Sequence, residues 1–314
     1  MRPLRSVVAA LCAATLLLGL AGCGDDGASA ADSATGASPR PLSSFDLVVV
    51  ASESNDALAA DLYGITLDPL TAVRITHDKR ISTVDAQDGR VVVAAADGAV
   101  DQLAFVTAAG ELTEIPGLGR PFAYNPSFVD NHTLMFDDVL VPEEDVQVNR
   151  TLLFDETERA KSTLFQIRDN LISSAPGPEG QVALVRSRKN GRESVVIRAA
   201  DGATRETSIE GDIGELLWGS SRYIAVAMNN VERKKGDDPS AAVILLDPVA
   251  GKQLQLGLSQ PIAWNPDASR LLVRRTGDAA GSQLAWFDPT NPQGELTRIG
   301  GITNLVIYSG AWVA

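Results

Sequence analysis

The sequence has few of the residues on which enzymes and nucleic-acid-binding proteins usually depend. Two histidines occur, His77 and His132, and neither has a second His or Cys at the spacing of a metal site, so both are predicted to lie in surface loops. No HExxH, CxxC, P-loop or GxSxG motif is present. Lysine and arginine number 27 against 40 acidic residues, and the net charge of -13 disfavours binding to nucleic acid, which requires a basic face. These absences argue against catalysis and against nucleic-acid binding.

Helical periodicity is also missing, because no stretch of 12 residues repeats apolar positions with the 3.6-residue period of a helix. From Phe45 onward, apolar runs of four to eight residues alternate instead with turn dipeptides such as Asp88-Gly89 and Asp201-Gly202. Residues 45–314 are numerous enough to bury a substantial core. The pattern predicts an all-β domain.

Only two cysteines occur, and one of them follows a leader-like N-terminus. Arg2 and Arg5 precede an apolar run from Val7 to Leu20, whose 14 residues are too few to cross a bilayer, which takes about 20. The string Leu20-Ala21-Gly22-Cys23 ends this run and resembles the lipobox of bacterial lipoproteins. The resemblance implies a signal peptide over residues 1–22, cleavage before Cys23 and a diacylglycerol on its sulfur. An ordinary secretory signal with a chance cysteine is the alternative.

Lipidation would place the domain on the outer face of the cytoplasmic membrane, in the cell envelope. Cleavage would also remove Cys12, which leaves the mature chain without a second thiol for a disulfide. Loss of Arg2 and Arg5 takes the net charge from -13 to -15. Anionic lipid repels so acidic a domain, and the acyl chains must therefore hold it at the membrane. Arginine outnumbers lysine 21 to 6, a bias typical of GC-rich genomes that, with the lipobox, favours an actinobacterium.

Residues 23–44 separate the leader from the domain, and they are small and polar. Such a segment buries too little apolar surface to offset its ordering entropy, so it is predicted to be a disordered tether with a typical span of about 25 Å. The predicted organisation is therefore a signal peptide over residues 1–22, a lipidated tether over residues 23–44 and a β domain over residues 45–314.

The apolar runs recur as units of four short strands, a to d. Residues 121–126 (PFAYNP) are echoed by residues 261–266 (PIAWNP). Equivalent turns lie roughly 40 to 50 residues apart, which is the period of propeller blades. Five units fit within the chain. Their innermost strands, a, are predicted near residues 81–86, 121–126, 170–176, 214–219 and 260–266.

A sixth blade is predicted from the two ends of the chain. Residues 45–52, 61–68 and 72–77 have the pattern of strands b, c and d without a strand a, and residues 303–309 have the pattern of a strand a alone. Joining them closes the ring and favours six blades over five or seven. The predicted fold is a six-bladed β-propeller closed by N- and C-terminal strands.

The repeat is similar to that of TolB-type propellers, whose blades carry a Trp-Ser-Pro-Asp-Gly turn, a Leu-Tyr strand and a Leu-Thr end. Residues 264–268 (WNPDA), Leu62-Tyr63, Ile75-Thr76 and Leu296-Thr297 carry the resemblance, which implies a propeller over most of the domain. TolB proteins place an α/β domain before the propeller, and the segment before residue 45 leaves no room for one. The role of that family in the Tol–Pal system is therefore not carried over.

Propeller enzymes usually build their sites on the innermost strands, which line a central channel. Here those strands offer Asp85 and Glu215 as their only carboxylates, on different blades, which is poor material for a metal cage or an acid–base pair. The stretch Asp85–Gly89 resembles a calcium loop faintly, but it lacks the further oxygen ligands, and Asp-Gly is a common hairpin turn. No metal or cofactor site is therefore predicted. Five aromatic residues are predicted to fill the core between blades, with ligand stacking as the alternative: Phe122, Tyr124, Trp218, Trp264 and Tyr308.

Two loops stand out by length, and both follow strand b of a blade. They span Asp138–Asn149 and Asn230–Ser240, and because strands alternate in direction, both are predicted to emerge on the face that carries the crossings between blades. Loops on a rigid scaffold are common recognition sites, although tolerated insertions are the alternative. The candidate partner-binding residues are acidic in the first loop and basic in the second: Glu143, Glu144, Asp145, Arg233, Lys234 and Lys235.

These features predict a membrane-tethered, extracytoplasmic propeller that binds a protein or envelope partner without a catalytic activity or a cofactor. Two alternatives stay open. One is an exported hydrolase or lyase of the propeller type, and the other is a receptor for a small ligand in the central channel.

Overall fold

The computed structural model describes residues 28–31, 39–54, 57–97, 100–119, 122–140, 148–188, 191–231, 240–257, 259–275, 281–291 and 295–313. Short 3-10 helices lie at Leu42–Ser44, Ala57–Ala59 and Pro178–Gly180. All other regular structure described is β. The strands in chain order are β1 (Ala28–Ala31), β2 (Leu47–Ser52), β3 (Asp61–Leu67), β4 (Leu70–Arg74), β5 (Ile81–Gln87), β6 (Arg90–Asp97), β7 (Val100–Val106), β8 (Leu112–Glu114), β9 (Ala123–Asp130), β10 (Thr133–Leu140), β11 (Val148–Asp155), β12 (Ala160–Ile167), β13 (Asn170–Pro176), β14 (Val182–Ser187), β15 (Glu193–Arg198), β16 (Thr204–Ser208), β17 (Asp212–Leu217), β18 (Ile224–Val231), β19 (Ser240–Leu246), β20 (Gln253–Gln255), β21 (Ser259–Trp264), β22 (Leu271–Arg275), β23 (Gly281–Phe287), β24 (Thr297–Thr303) and β25 (Val306–Trp312).

The strands form the six blades of a β-propeller, each with four antiparallel strands, a to d from the channel outward. Blade I is β5–β8, blade II β9–β12, blade III β13–β16, blade IV β17–β20 and blade V β21–β24. Blade VI has β25 innermost, followed by β2, β3 and β4. Connections b–c and d–a emerge on one face of the disc, named the b–c face here, and connections a–b and c–d emerge on the opposite a–b face. The predicted all-β, six-bladed propeller is confirmed.

The ring is closed by the two ends of the chain, because β2 pairs antiparallel with β25 along its whole length. Pairing of the ends removes two open sheet edges, which would otherwise expose unpaired backbone donors and acceptors. The predicted closure is confirmed, with one shift in position. The innermost strand of blade VI begins at Val306 rather than at residue 303, because Thr303 still pairs with Gly281 in blade V.

Part of the predicted tether lies on the propeller. Strand β1 runs parallel to both β24 and β4, so its backbone bridges the outer strands of blades V and VI. Outer strands have free hydrogen-bonding edges that can accept an extra strand. Further along, Leu42 is 6% exposed and packs in the core between blades VI and I, while Arg40 lies over the ring of Phe45. Contact with the domain therefore begins before residue 45.

The core consists of six apolar clusters, one at each interface between neighbouring blades. The cluster between blades III and IV is large and is built around Trp218, which is 2% exposed. The smallest cluster lies between blades II and III and contains Leu171, Leu184 and Val196. Apolar packing alone thus holds this interface less firmly than the others.

A buried polar network supplements packing between blades II and III. The Asp137 carboxylate, fully buried in blade II, accepts hydrogen bonds from Thr151 Oγ1 at 2.7 Å, from Ser174 Oγ of blade III at 2.7 Å and from Asn125 Nδ2 at 3.1 Å. Burial raises the pKa of Asp137 to about 6 although these hydrogen bonds oppose the shift. Asn125 Nδ2 also donates to the carbonyl of Ile172 in blade III. Satisfied networks of this kind fix one relative placement of two elements.

A second carboxylate, Asp61, fixes the crossing from blade VI to blade I. It accepts hydrogen bonds from Thr76 Oγ1 at 2.7 Å, from Arg74 Nη2 at 2.6 Å and from the backbone N–H groups of Asp78 and Lys79. Burial alone would raise the pKa of Asp61, but these hydrogen bonds together hold it below its ordinary value. The crossing is therefore anchored by a charged, fully paired group.

Candidate functional site

The innermost strands share one local feature that shapes the channel. Each of β5, β9, β13, β17, β21 and β25 is interrupted by a β-bulge against its neighbouring strand. A bulge adds an unpaired residue and re-aims the side chains beside it. In blade IV the bulge lies between Ile213 and Leu216, both of which pack in the core, and it leaves Glu215 free to line the channel.

The channel contains two adjoining cavities that share five lining residues: Asp85, Ser127, Leu216, Leu217 and Gly310. The outer cavity, about 390 Å³, is lined by residues at the C-terminal ends of the innermost strands of all six blades and lies at the a–b face. The inner chamber, about 60 Å³, lies deeper along the same strands. The outer cavity is called the funnel below, and the inner one the chamber.

The two cavities differ in chemistry. The funnel is walled mainly by apolar and aromatic side chains, including Phe128, Val129, Trp264 and Trp312. The chamber is lined by carboxylates, hydroxyls and an amide, namely Asp85, Glu215, Thr83, Asn125, Ser173 and Ser174. A funnel lined mostly by apolar side chains therefore leads to a more polar chamber, the general pattern of a small-molecule site.

The chamber brings together the two carboxylates that the sequence analysis treated as isolated. Blades I and IV face each other across a ring of six, and the bulge of β17 aims Glu215 inward, so Asp85 and Glu215 line the same chamber. They share one chamber although they lie on different blades, because separation along the sequence does not measure distance across a closed ring. Phe128 N donates to Asp85 Oδ2 at 2.7 Å. The Glu215 carboxylate makes no hydrogen bond or ion pair with any residue that the structure describes.

Both chamber carboxyls hold their protons more tightly than usual. Burial raises the pKa of Asp85 to about 6, although the N–H groups of Phe128 and Ala86 oppose the shift. Burial, together with the charge of Asp85, raises the pKa of Glu215 to about 8. At neutral pH the chamber therefore holds an ionised Asp85 and a mostly protonated Glu215.

A three-ligand metal site is not formed by these groups. Within the described ranges, no cluster of three or more His, Cys, Asp or Glu side chains has the arrangement of a metal site. Asp88 and Gly89, which resembled part of a calcium loop, form the two-residue turn between β5 and β6, with φ of +51° and +73°. Both angles are those of a tight type I′ hairpin, for which Asp-Gly is a preferred sequence.

The predicted inter-blade aromatics are mostly placed as expected. Trp218 is buried in the core, Trp264 and Tyr308 pack against core clusters, and the Tyr124 hydroxyl donates to the Leu171 carbonyl of the next blade at 3.3 Å. Phe122 is the exception. Its ring is 45% exposed, because the residue precedes β9 in the crossing between blades I and II and so lies on the b–c face.

The six candidate partner-binding residues and Cys23 lie outside the described residues, but the stems of both loops are described. The strands reach further into the loops than expected, to Leu140 and Val148 in blade II and to Val231 and Ser240 in blade IV. Both connections join strands b and c, as predicted, so both leave the b–c face. At the first stem Arg150 Nε donates to Asp138 Oδ1 at 2.8 Å, and its Nη2 binds the other carboxylate oxygen.

A third long connection on this face was missed by the sequence analysis. Residues 53–60 join strands b and c of blade VI, and within the described part of this connection Leu58 is 80% exposed. The sequence analysis assigned residues 45–52 and 61–68 to strands b and c of this blade but did not single out the connection between them. The long b–c connections therefore occur on alternate blades: II, IV and VI.

Both histidines lie on the surface, as predicted. His77 is exposed in the crossing from blade VI to blade I, and His132 is exposed in the a–b turn of blade II, where its N–H donates to Asp130. Neither lines the funnel or the chamber. In the part of the chain that the structure describes, no helix is long and apolar enough to cross a bilayer.

Solved structures share this fold at low sequence identity. TolB from Acinetobacter baumannii superposes with a TM-score of 0.61 and 14% identity, over 85% of this chain and 66% of that one. The tricorn protease superposes with a TM-score of 0.54 and 11% identity, over 84% of this chain and 30% of that one. A gluconolactonase from Xanthomonas campestris superposes with a TM-score of 0.51 and 10% identity, over 74% of this chain and 84% of that one.

The likeness shows the fold alone. It confirms the resemblance to the propeller of TolB, while the chain spans just under two thirds of that protein's length. No protein-family model matches the sequence, and no curated protein matches it. The fold is thus shared by proteins of several activities, and function must be argued from the site.

The raised pKa values predict that stability declines as pH rises. A carboxyl with a higher pKa in the folded than in the unfolded chain binds more protons when folded, so the free energy of unfolding falls as pH rises through that window. For Glu215 the window runs from 4.5 to about 8, and for Asp85 and Asp137 it runs from 3.8 to about 6. Glu215 therefore accounts for the decline above neutral pH.

Replacing Glu215 by glutamine should remove that part of the decline. Because each pKa unit corresponds to about 1.4 kcal/mol and solvent in the channel weakens the effect, we expect Glu215→Gln to match the parent near pH 5 and to exceed it by roughly 2 kcal/mol near pH 9. For a domain of this size that is about 4–8 °C in Tm. Thermal melts at pH 5, 7 and 9 measure it. The exposed Glu210→Gln is the matched control, and an unchanged pH profile in Glu215→Gln would contradict the assignment.

Proposed function

We propose that this chain is a membrane-tethered, extracytoplasmic propeller lipoprotein that binds a protein or envelope partner and catalyses no reaction. In this proposal residues 1–22 are a signal peptide, Cys23 carries the acyl chains and the propeller is held at the outer face of the cytoplasmic membrane. The lipobox-like string and the short apolar run before it support the anchor. The acidic net charge supports a partner other than nucleic acid.

The observation that carries the binding proposal is the placement of the long connections. The b–c connections of blades II, IV and VI all leave one face of the disc, at alternate positions around the ring. A propeller tolerates longer loops there because they do not disturb the packing between blades. The opposite charges of the first two, acidic at residues 143–145 and basic at residues 233–235, would orient a partner as it approaches.

Exposed apolar groups on the same face supply contact area. Phe122 and Leu58 are 45% and 80% exposed and lie on the b–c face, in the crossing to blade II and in the b–c connection of blade VI. The backbone N–H of Val139 donates to the Phe122 carbonyl, so Phe122 adjoins the stem of the first loop. Aromatic residues are enriched in the cores of protein interfaces, and polar residues form the rims.

The chemistry of the channel favours binding over hydrolysis. Asp85 and Glu215 are the carboxylates of the chamber, and the nearby Asp137 is engaged by Asn125, Thr151 and Ser174, so the described residues form a weak donor set for a metal ion. This donor set supports the non-enzymatic proposal over the exported hydrolase.

The anchor is tested by Cys23→Ala. Because two or more acyl chains hold a protein stably on a bilayer and nothing else in this acidic chain favours anionic lipid, we expect the variant to leave the membrane fraction almost completely. Fractionation of cells with detection of the chain measures this, and mass spectrometry of the parent's N-terminus should show an acylated cysteine. Cys12→Ala is the matched control and should stay membrane-bound. A Cys23→Ala protein that remains membrane-bound at the parent's level would overturn the anchor.

The binding face is tested by photocrosslinking in intact cells. A photoreactive amino acid in place of Glu143 or Lys234 should give a discrete adduct, since both positions lie in b–c connections. The same group in place of Asp201, in a c–d turn on the opposite face, should give none. Adducts of equal yield from all three positions would contradict a binding face.

A further inference from the structure

The funnel and the chamber together form a site that the binding face does not use. The funnel opens on the a–b face, opposite the long connections, and ends at the chamber. A chamber of about 60 Å³ is far smaller than the roughly 300–1,000 Å³ of a site that encloses a drug-sized ligand. It can therefore hold one small polar head group but not a whole ligand, whose remainder would occupy the funnel.

The polar groups of the chamber are mostly acceptors of hydrogen bonds. Asp85 and Glu215 are the only ionisable side chains among the described residues that line either cavity. The carboxylate of Asp137 lies behind this wall. Asn125 and Ser174, which line the chamber, both donate hydrogen bonds to Asp137 and so separate it from the chamber. Thr83 lines the chamber, and its buried hydroxyl has no hydrogen-bond partner among the described residues. Such a set has no positive charge, and the donors of Asn125 and Ser174 are already bound to Asp137.

We propose that the channel binds a small molecule with a primary ammonium group at one end of an apolar body. The ammonium group lies in the chamber, where it donates to Asp85, Glu215 and the Thr83 hydroxyl. The apolar body lies in the funnel, against Phe128, Trp264 and Val129. An ammonium group has three donors and one positive charge, which match three acceptors and the negative charge of the chamber.

The shape of the channel distinguishes this ligand from a bare cation. A divalent cation needs six or more oxygen ligands and gains nothing from apolar walls, whereas an alkyl chain buries apolar surface in the funnel at about 25 cal/mol per Å². Binding of a cation also favours ionisation of Glu215, so binding is coupled to release of a proton near neutral pH. Affinity for an amine should therefore rise with pH until Glu215 is ionised.

The probe is n-hexylamine, titrated by calorimetry into the full chain in detergent, with micelles alone as the blank. At pH 8.5 we expect hexylamine to bind at least about tenfold more tightly than hexan-1-ol, which has the same apolar body without the charge. Glu215→Gln and Asp85→Asn should each weaken hexylamine by about tenfold, while Glu210→Gln on the surface should not. Between pH 6 and 8.5 the parent should gain affinity by about tenfold or more, whereas Glu215→Gln should gain no more than about twofold, which is the contribution of Asp85 as it finishes ionising.

Three results would overturn the proposal. The first is an equal affinity for hexylamine and hexan-1-ol. The second is an affinity for hexylamine that neither Glu215→Gln nor Asp85→Asn changes. The third is a protein that does not bind hexylamine but binds calcium through Glu215. Cooperative melting of each variant shows that a lost affinity is not a lost fold. Photocrosslinking from the b–c face is independent of these results, so this site and the proposed partner-binding function can fail separately.

Discussion

Truncation after Gly301 should abolish cooperative unfolding of the propeller. The deletion removes β25, and with it Leu305, Ile307 and Val313, which are each almost completely buried in the structure. Burial of such side chains contributes about 1.5–3 kcal/mol each, and their sum is comparable with the total stability of about 5–15 kcal/mol typical of a folded protein. The deletion also exposes the edge of β2 and opens the channel wall, so no other strand can substitute.

Deletion of Leu47–Ser52 should have the same effect, because it removes the other half of the closing pair. Thermal melts followed by circular dichroism, and proteolysis of the native proteins, measure the loss. Deletion of residues 24–40 is the control. It removes β1, whose residues are only alanine and serine, and leaves the closing pair intact, so a cooperative transition should remain. Truncated proteins that melt like the parent would show that the ring does not need its closing strand.

The repeat pattern predicted most of the fold because the four strands of a blade mostly follow one another directly in the sequence. The echo between residues 121–126 and 261–266 marks innermost strands that the structure places at Ala123–Asp130 and Ser259–Trp264. The alternation of apolar residues and the turn residues between them locate such strands to within a few residues. Their ends were less well predicted, since Thr303 belongs to blade V and Leu42 packs against the domain.

The site was predicted less well because it depends on the closed ring. Asp85 and Glu215 are distant in sequence and share a chamber only because blades I and IV oppose each other and β17 carries a bulge. A bulge shifts the inward-facing side chains by one residue, and simple alternation does not reveal it. Phe122 was assigned to the core from the aromatic character of its motif, although it precedes the strand and is exposed. One available signal was the repeat of a carboxylate or hydroxyl at equivalent positions of several innermost strands.

Replacement of residues 141–147 by Asn-Gly should abolish partner capture while leaving the fold intact. Asn-Gly is a preferred two-residue hairpin turn, and the stem is already built, with Leu140 opposite Val148 and Arg150 bound to Asp138. The core lies away from this loop, so Tm should change by no more than about 2 °C. The loss should be large, because the shortened connection lacks the three acidic residues at 143–145 that the proposal assigns to the binding face.

The measurement is the yield of the photocrosslinked adduct from position 234, in blade IV, compared between the parent and the loop-shortened protein in intact cells. Placing the probe on a different blade ensures that the shortened loop does not itself carry the photoreactive group. If the b–c face binds the partner, the adduct from position 234 falls by about tenfold or more in the shortened protein, which still melts like the parent. An adduct of unchanged yield would contradict the proposal that this face binds the partner.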